Sequence, residues 1–402
     1  MFRNCLHYVK RFVIFILKVV LAIVPKDQKL ILFSAWFGKK YADSSMYMYE
    51  YLLESEFKVY WYTLDKTIFE DLKKQGKPVV YGKSLPGIWK QLRAKMLVSS
   101  VQFSDFNNYF LTRCVYFDLD HGFPIKQSGF EINSSTKKAE SYFKLLCLFV
   151  DYNMTASSIF IKQIVERCWK LPETKIVKCN KPRTDVFFDE NLRIGNNSIV
   201  DDIKVGKKSI VYMPTQRSCG KVSIEIGKIF DLKKIDDFCK ENNAVFIIKK
   251  HFYHKDEKED LSGYSNIFDI TGENIDTQTL LFQADVLISD YSACYIDYLL
   301  LDRPIILYAY DLHEYLVSER DLYLPFDKNG CGFKAYTFDD VLTQLQFLSR
   351  NYWNDGMEKG RNEIRKLYFS DSLSFGHARE EIKNIISELL LKKYKADWEN
   401  EK

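Results

Sequence analysis

The sequence predicts an α/β fold of two domains, each built on a largely parallel β-sheet. From Lys29 onward, short apolar runs alternate with amphipathic stretches, and this alternation restarts after the polar segment 189–207. Strands that alternate with helices indicate βαβ units, in which the strands pair in parallel. A length of 402 residues also fits two domains. We therefore expect two Rossmann-like halves joined by a linker, with a ligand cleft between them.

The elements of the first half follow one another from residue 29 to residue 158. A helix is predicted to begin at the Asp43-Ser44 cap, and another to end at Gly76. The apolar runs predict strands over 29–36, 57–63, 78–82, 96–101 and 114–121, and the amphipathic stretches predict helices over 43–55, 67–76 and 85–95, with 141–158 continuing the alternation.

The second half repeats this order after the linker. Segment 189–207 contains an Asn-Asn pair and has little hydrophobic periodicity, which is typical of a linker. We expect an N-terminal segment 1–25, domains 26–190 and 191–375, and a C-terminal helix 376–402. The predicted strands are 209–215, 244–251, 285–292 and 304–310, and the predicted helices are 225–243, 294–302 and 376–395.

The composition excludes several classes of protein. The chain has 58 Lys and Arg against 54 Asp and Glu, and the net charge of +4 is too small for a typical nucleic-acid-binding protein. It has no run of about 20 apolar residues, which excludes a polytopic membrane protein. The nine cysteines are dispersed without a C-x-x-C pair, which predicts reduced thiols in a cytosolic protein and no zinc site. Because G-x-G-x-x-G and P-loop motifs are also missing, we expect no cofactor.

The first 25 residues predict an amphipathic helix that lies in the plane of a membrane surface. The apolar run 12–24 is too short to span a bilayer, and Lys18 interrupts both this run and any signal-peptide core. Arg3, His7, Arg11 and Lys18 fall on one side of a helical wheel, as a cationic stripe for anionic lipid. The alternative is a first helix packed against the protein's own core.

Two of the six histidines follow predicted strands. His121 opens the segment HGFPIK, and His251 closes the strand AVFIIKKH. Ligands of open α/β sheets bind outside the carboxyl ends of the strands. An imidazole there can take a proton from a hydroxyl group or, when charged, donate to a phosphate. The alternative for each is a structural, hydrogen-bonded histidine.

Two further segments carry candidate phosphate ligands. PTQR follows the strand SIVYM, and its Thr215 hydroxyl and Arg217 guanidinium are suitable donors to phosphate oxygens. The segment KPRTD contains Arg183, which is a candidate phosphate ligand for the same reason. The alternative for either arginine is a salt bridge in a surface loop.

The segment DVLISDYSACYIDYLLLDRP is the most informative part of the sequence. A buried strand is predicted to end at Asp290, and a helix to begin near Ser292–Cys294, so that free N–H groups, including that of Ala293, and the Ser292 hydroxyl form an anion site. Asp297 would then face a ligand hydroxyl or the linker, and simple N-capping by Asp290 or Ser292 is the alternative. The D-x-D in FDLD (117–120) is a weak signal, and we expect no metal.

Together these segments resemble the CDP-glycerol:poly(glycerophosphate) glycerophosphotransferase family, which includes teichoic acid primases and polymerases and capsule polyol-phosphate transferases. HGFPIK looks like H-G-T-P-x-K, NKPRTD like G-x-P-R-x-D, and YMPTQR like Y-x-P-T-x-R. IIKKHF stands where the family has a strand that ends in His-Pro, and residues 285–315 are similar to A-D-x-L-I-T-D-Y-S-S and its continuation. The matches cover nearly the whole chain after residue 28, in order.

The resemblance implies a fold of glycosyltransferase-B (GT-B) type and an enzyme that transfers glycerol phosphate, or a related polyol phosphate such as ribitol phosphate, from a CDP donor while CMP leaves. It implies His121 and His251 as the catalytic histidines, with His121 as the base on the acceptor hydroxyl. It also implies His251, Thr215, Arg217 and Ser292 as pyrophosphate ligands. Asp297 and Arg183 are further candidates. The sequence departs from the family where Ala293 replaces the second Ser and where Phe252 follows His251 in place of Pro.

The implied partners are the CDP-polyol donor, a lipid-linked glycan or polyol-phosphate acceptor, and an anionic membrane surface on the cytoplasmic side of the cell membrane. The chain lacks the long N-terminal extension of the large polymerases, which favours a primase-sized enzyme or a capsule transferase. A homo-oligomer is left open. Two other functions also stay open: a nucleotide-sugar glycosyltransferase of the same fold, and a non-catalytic membrane-tethered scaffold for polysaccharide assembly.

Overall fold

The computed structural model describes residues 2–132, 135–193, 198–254, 256–395 and 398. It confirms the predicted α/β class, because helices alternate with strands and the strands of both sheets pair in parallel. The described chain forms two compact units. Unit 1 comprises Met1–His121, Gly129–Asp185 and Ser372–Lys402, and unit 2 comprises Gly122–Ser128 and Val186–Asp371. The linear domain boundaries derived from the sequence remain predictions, because a compact unit is defined by its contacts and can be discontinuous in sequence.

Unit 1 is built on a seven-stranded sheet. Its strands are β1 (Asp27–Phe33), β2 (Lys58–Thr63), β3 (Val79–Tyr81), β4 (Ala94–Ser99), β5 (Cys114–Asp118), β6 (Val150–Ala156) and β7 (Ile176–Lys178). They are arranged in the order β3-β2-β1-β4-β5-β6-β7. The order reverses between β1 and β4, and ligands of doubly wound sheets bind at the carboxyl ends of the strands beside such a reversal.

The helices before and between these strands are α1 (Phe2–Leu21), α2 (Asp43–Leu52), α3 (Lys66–Lys74), α4 (Leu85–Arg93), α5 (Lys137–Cys147) and α6 (Ile159–Trp169). Side-chain caps fix where four of them begin. Asp65, Ser84, Thr136 and Ser158 each accept a hydrogen bond from a backbone N–H group in the first turn of the helix that follows. The stretch 141–158 therefore divides into the end of α5, the whole of β6 and the cap of α6.

Unit 2 repeats this plan in a six-stranded sheet. Its strands are β8 (Lys208–Met213), β9 (Ala244–Ile248), β10 (Ile267–Asp269), β11 (Val286–Ser289), β12 (Ile305–Tyr308) and β13 (Phe333–Ala335). The order is β10-β9-β8-β11-β12-β13, which reverses between β8 and β11. Both faces of this sheet are apolar, because every residue of β9 is buried. On one face, Ile235 and Phe238 of the helix before β9 pack in the same hydrophobic cluster as β8 and β9.

The helices of unit 2 are α7 (Ser198–Lys204), α8 (Ile226–Ile229), α9 (Leu232–Glu241), α10 (Thr277–Gln283), α11 (Cys294–Tyr298), α12 (Leu312–Ser318), α13 (Phe338–Arg350) and α14 (Glu358–Tyr368). Two expectations are corrected. Helix α7 lies in the segment predicted to be irregular. The helix predicted over 294–302 is α-helical only in α11 and continues as a 3₁₀ helix, because the chain leaves it through Asp302 at φ 49° just before Arg303-Pro304.

The last described helix, α15 (Ala378–Leu390), belongs to unit 1. Asp185 caps it: this carboxylate accepts hydrogen bonds from the N–H groups of Ala378 and Arg379, both at 3.0 Å, and from Arg379 Nε at 3.1 Å. The Asp of the NKPRTD motif is therefore explained by a structural contact.

The orientation predicted for the cationic side of α1 is wrong at Arg11 and Lys18. Lys18 is fully buried, and its Nζ donates to the carbonyl oxygens of Asn108 (2.6 Å) and Leu111 (2.7 Å). Arg11 donates to Ser141 Oγ at 2.7 Å. Lys18 faces unit 1 because the segment before β5 presents carbonyl groups that need donors, and Arg11 faces α5. The side chains of Arg3 and His7 lie outside the described residues.

The apolar side of α1 points away from unit 1. Phe12 is 66% exposed, Ile16 46%, Val19 49% and Val20 55%, and Ile23, which follows the helix, is 79% exposed. Within the described residues, no helix is both long and apolar enough to cross a bilayer.

Candidate functional site

Unit 1 brings polar groups together where the loops after β1, β4 and β5 meet at the carboxyl edge of its sheet. Asp105 organises these loops: it is fully buried and accepts hydrogen bonds from the N–H groups of Phe37 (2.6 Å) and Ser100 (2.7 Å). Trp36 and Phe37 have positive φ angles of 49° and 64°. Such angles are unfavourable for residues with a Cβ, so the contacts of Asp105 hold a backbone that would otherwise relax.

His121 follows β5, and its side chain is 41% exposed. Its Nδ1 lies 3.3 Å from Asp120 Oδ1 and 3.2 Å from the carbonyl oxygen of Ser100. The ring of Trp36 packs against it edge-on, with 5.0 Å between ring centroids. Because both polar neighbours are acceptors, we assign the proton of the neutral imidazole to Nδ1 and the lone pair to Nε2.

The surroundings of His121 raise its pKa. Desolvation by nearby protein lowers the pKa, but the hydrogen bond to Asp120 and the negative charges of Asp120 and Asp43 outweigh this effect. Asp120 has a lowered pKa in turn: burial raises it, but the charges of Lys181, His121 and Arg183 have the larger combined effect. Asp120 therefore stays ionised beside the imidazole and stabilises its protonated form.

The two other basic side chains of this region are buried and engaged. Arg183 Nη1 donates to Asp43 Oδ1 at 2.8 Å. Lys181 Nζ donates to the carbonyl oxygen of Leu119 (2.6 Å) and to Thr155 Oγ1 (3.1 Å). These contacts fix the loops on either side of His121. The role predicted for Arg183 in substrate binding remains a prediction.

The D-x-D pair is part of the same loop. Asp118 is fully buried and accepts hydrogen bonds from Tyr152 Oη (2.7 Å) and from the N–H group of Asp120 (2.9 Å). Burial and the charge of Asp120 raise the pKa of Asp118. Over the described ranges, no group of three or more His, Cys, Asp or Glu side chains is placed to hold a metal ion.

Unit 2 gathers charged side chains at its own reversal point, after β8 and β11. Asp290 is buried, and its Oδ1 accepts hydrogen bonds from the N–H groups of Thr215 (2.8 Å) and Tyr291 (2.6 Å). Its Oδ2 accepts from Arg217 Nη2 at 2.9 Å. Arg217 also donates to Asp311 through Nε (2.8 Å) and Nη2 (3.1 Å). Two carboxylates thus hold one guanidinium and lock the loops after β8, β11 and β12 together.

Aromatic rings enclose the same guanidinium. Its carbon lies 5.3 Å from the ring centroid of Tyr291, 5.8 Å from that of Tyr310 and 5.0 Å from that of Tyr315. Burial lowers the pKa of Arg217, but the charge of Asp290 and the hydrogen bond to Asp311 raise it by a larger amount, so the guanidinium stays charged. Its engaged N–H groups favour a positioning role for Arg217 over the direct phosphate contact predicted from the sequence.

Two groups beside this network have no partner among the residues that the structure describes. The Thr215 hydroxyl is buried and forms no hydrogen bond within the described residues. Lys126, held by backbone pairing with Leu322, forms no ion pair in the part of the chain that the structure describes. Desolvation and the charges of Arg320 and Arg217 lower the pKa of Lys126 to about 8, even though Asp290 raises it. A hydroxyl donor and a cation in this position suit a phosphate group.

The other predicted residues of unit 2 are placed as follows. His251 follows β9, its Nδ1 accepts a hydrogen bond from the N–H group of Tyr253 at 3.4 Å, and its ring packs on that tyrosine. Ser292 and Ala293 lie half-buried before α11. Because α11 is little more than one turn, the predicted helix-dipole contribution to an anion site is small. Asp297 is buried and accepts from Gln278 Nε2 at 3.1 Å.

The sequence of this chain matches a family model over residues 16–388, and the family is described as CDP-glycerol:poly(glycerophosphate) glycerophosphotransferase. The chain belongs to this family. Among its relatives, the teichoic acid glycerol-phosphate transferase of Staphylococcus aureus is 26% identical over 76% of this chain and 80% of that protein. A teichoic acid poly(glycerol phosphate) polymerase of Bacillus spizizenii is 23% identical over 92% and 94%.

The match to some glycerophosphotransferase relatives is partial. The teichoic acid ribitol-phosphate polymerase TarL of S. aureus is 31% identical over 44% of this chain, and the match spans only 32% of TarL. Among solved structures, the wall teichoic acid polymerase TagF superimposes with a TM-score of 0.71 at 22% identity, over 98% of both chains. A glycosyltransferase from Rickettsia africae superimposes with a TM-score of 0.53 at 12% identity, over 91% of this chain and 99% of that chain. These likenesses show a shared fold of two parallel-sheet halves.

In this member of the glycerophosphotransferase family, sequence reasoning missed several residues of both sites. Asp120 and Lys126 flank the first strand-end histidine, and both stand in segments already singled out, FDLD and HGFPIK. Asp105 gave no comparable signal, because it is an acid in a loop and its partner Phe37 is distant in sequence. Asp311 lies within the matched segment 285–315, but its partner Arg217 is distant in sequence.

Proposed function

We propose that this protein transfers glycerol phosphate, or a related polyol phosphate such as ribitol phosphate, from a CDP-activated donor to a lipid-linked or growing glycan or teichoic acid acceptor, with release of CMP. The observation that carries this proposal is the family match over residues 16–388. The solved TagF complex with CDPG supports a CDP-linked donor for that relative.

The base is assigned to His121. In the proposed step, the oxygen of an acceptor hydroxyl attacks the polyol-bearing phosphorus of the donor. The bond from that phosphorus to the bridging oxygen breaks, and CMP leaves with the electron pair. The hydroxyl proton passes to Nε2 of His121, because Nδ1 faces Asp120 and Ser100. The negative charge of Asp120 stabilises the imidazolium that results.

The donor phosphates are assigned to unit 2. Lys126 and the Thr215 hydroxyl are two groups beside the Arg217 network without a protein partner among the described residues, and they would neutralise and hydrogen-bond the pyrophosphate. Arg217, held by Asp290 and Asp311, would keep their loops in place. His251, Ser292, the N–H group of Ala293, and Asp297 remain predicted donor ligands.

The same proposal locates the protein at the cytoplasmic side of the cell membrane, where a lipid-linked acceptor is anchored. The outward apolar side of α1 supports this location, since a helix that lies in the plane of the membrane buries such a surface among acyl chains. The expectation that α1 itself supplies the cationic contact is not retained, because Arg11 and Lys18 face unit 1.

The test is release of CMP and protection against heat, measured with CDP-glycerol, CDP-ribitol and UDP-sugars. We expect a CDP-polyol to raise the melting temperature and to be turned over, and His121→Ala to reduce turnover at least 100-fold, within the range of general-base contributions. His377→Ala is the matched control, because His377 is an exposed histidine of unit 1 that pairs only loosely with Glu380, at 4.0 Å.

Three outcomes contradict the proposal. Normal turnover in His121→Ala would show that His121 is not the base. Protection by UDP-sugars with none by CDP-polyols would favour a nucleotide-sugar glycosyltransferase. No nucleotide binding in the folded protein, with both strand-end histidines dispensable, would favour a scaffold.

A further inference from the structure

A cavity of about 730 Å³ opens at the amino edge of the unit 1 sheet. Its lining includes Lys95 at the start of β4, Cys114 at the start of β5 and Val150 at the start of β6. Parallel strands all begin at one edge and end at the other, so this cavity lies at the edge opposite to His121. It is therefore separate from the chemistry proposed above, and its volume is in the range of small-molecule sites.

The cavity is strongly cationic. Seven lining residues are Lys or Arg, and one, Asp151, is acidic. Asp151 is paired with Lys175 at 2.5 Å, and Glu140 outside the cavity pairs with both Lys144 and Lys170 at 2.7 Å. Four cations of the lining form no ion pair within the described residues: Lys26, Lys95, Arg113 and Lys392.

These cations are close enough to act on one another. The pKa of Lys26 is lowered: burial lowers it most, Cys114 raises it, and the nearby charges of Arg113 and Lys95 lower it. Lys26 and Arg113 each donate to a backbone carbonyl oxygen, of Leu92 (2.5 Å) and Ala22 (2.7 Å), and each keeps further N–H groups for a ligand. Crowded like charges without a counter-charge indicate that an anion completes the site.

The rim of the cavity reaches α1 and carries an exposed apolar residue of its own. Leu148 lines the cavity and is 75% exposed. Phe149, also in the lining, packs edge-on against Phe15 of α1, with 5.4 Å between ring centroids. A cationic pocket that borders an exposed apolar surface matches a lipid, which carries an anionic head group next to acyl chains.

We propose that this cavity binds the phosphate head group of an anionic membrane phospholipid, while the outward side of α1 and Leu148 enter the acyl region. This inference rests on the membrane location proposed above and not on the proposed reaction. It also replaces the cationic stripe expected on α1, since the positive charge that meets the lipid comes from the body of unit 1.

The test compares flotation of the full chain with vesicles of phosphatidylcholine alone and of phosphatidylcholine with 30 mol% phosphatidylglycerol. We expect the wild type to prefer the anionic vesicles. The double variant Lys95→Ala, Lys392→Ala should reduce its partition coefficient on them about 25-fold, from roughly fivefold per lysine near an anionic surface. Lys228→Ala, Lys233→Ala is the matched control with the same change in charge, because both lysines are exposed in unit 2.

Native mass spectrometry of protein released from the anionic vesicles supplies a second readout. We expect a bound phosphatidylglycerol in the wild type and the control and its loss in Lys95→Ala, Lys392→Ala. Equal flotation of the two double variants, or equal binding to both vesicles, would overturn the proposal. Displacement from anionic vesicles by 10 mM inorganic phosphate would instead identify a site for soluble anions. The heat protection given by CDP-glycerol, measured in the same variants, tests the proposed reaction independently.

Discussion

The substitution Asp290→Asn tests whether one buried carboxylate holds the loops of unit 2 together. It removes a negative charge and keeps the shape of the side chain. Asn Oδ1 can still accept from the N–H groups of Thr215 and Tyr291, at the 2.8 and 2.6 Å of the native contacts. The amide nitrogen, however, would face Nη2 of Arg217. Both groups are hydrogen-bond donors, so the contact between them would be lost.

The expected cost follows from burial. Asp290 and Arg217 are 1% and 7% exposed, and removal of one partner of a buried ion pair costs about 3–5 kcal/mol. Because Arg217 keeps two hydrogen bonds to Asp311, we expect the lower limit, about 3 kcal/mol. That free energy corresponds to a change of about 150-fold in the equilibrium for local opening.

Hydrogen exchange followed by mass spectrometry measures this opening segment by segment, without assuming that both units unfold together. Peptides over 208–217 and 286–298 should exchange about 150-fold faster in Asp290→Asn, while those of unit 1 should be unchanged. The control is Asp237→Asn, whose carboxylate is 53% exposed and paired with an exposed lysine, so its effect should be within about 0.5 kcal/mol. If both variants exchange at the wild-type rate, the reasoning about the buried network is wrong.

Three more predictions follow from other parts of the structure. Affinity for the CDP donor should fall as pH rises through about 8 and above, since Lys126 loses its charge there, and Lys126→Arg should remove this dependence in isothermal titration because arginine stays charged. Asp120→Asn should lower the pKa of His121, so the acidic limb of the pH–turnover profile should move to lower pH. Gly360→Ala should destabilise unit 2 by more than about 1 kcal/mol in thermal unfolding, although alanine is the better helix former, because its Cβ would lie 2.1 Å from a backbone carbonyl oxygen.

Each of these has a contrary result. An affinity that keeps its pH dependence in Lys126→Arg would assign the titration to another group. If the acidic limb of the profile does not move in Asp120→Asn, the limb reports the titration of a group other than His121. Gly263→Ala is the control for Gly360→Ala, because its Cβ would meet nothing within 4 Å. Equal stability of the two glycine variants would show that α14 moves away from the added Cβ with no loss of folding free energy.

The alternation of strands and helices could be predicted from the sequence because it depends on local periodicity. Short strands such as β7 and β10 were missed because three residues carry little periodic signal, although the equally short β3 was predicted within 78–82. The orientation of α1 was also missed. A helical wheel separates its polar and apolar sides correctly, but which side faces the protein depends on the carbonyl groups of Asn108 and Leu111, which no local pattern records.

The sites show the same limit. His121 and the PTQR loop could be found because both follow strands, where ligands of α/β sheets bind. Their partners could not be found: Asp43 reaches Arg183 across 140 positions of sequence, and Asp311 reaches Arg217 across 94. Such pairings are set by tertiary contacts, so no local pattern could predict that both arginines form buried ion pairs.

If α1 rests on a membrane as proposed, its placement and that of His121 at opposite edges of one sheet would set a distance for the acceptor. At about 3.3 Å per residue, β5 and the loop after it carry the chain roughly 20 Å from Cys114 to His121. With α1 resting on a bilayer, a hydroxyl close to the lipid phosphate would fall short of the imidazole. An acceptor that already extends several sugar or polyol units from its lipid would reach it. The distance between the two edges of the sheet would then select acceptors by their length, independently of how their terminal unit is recognised.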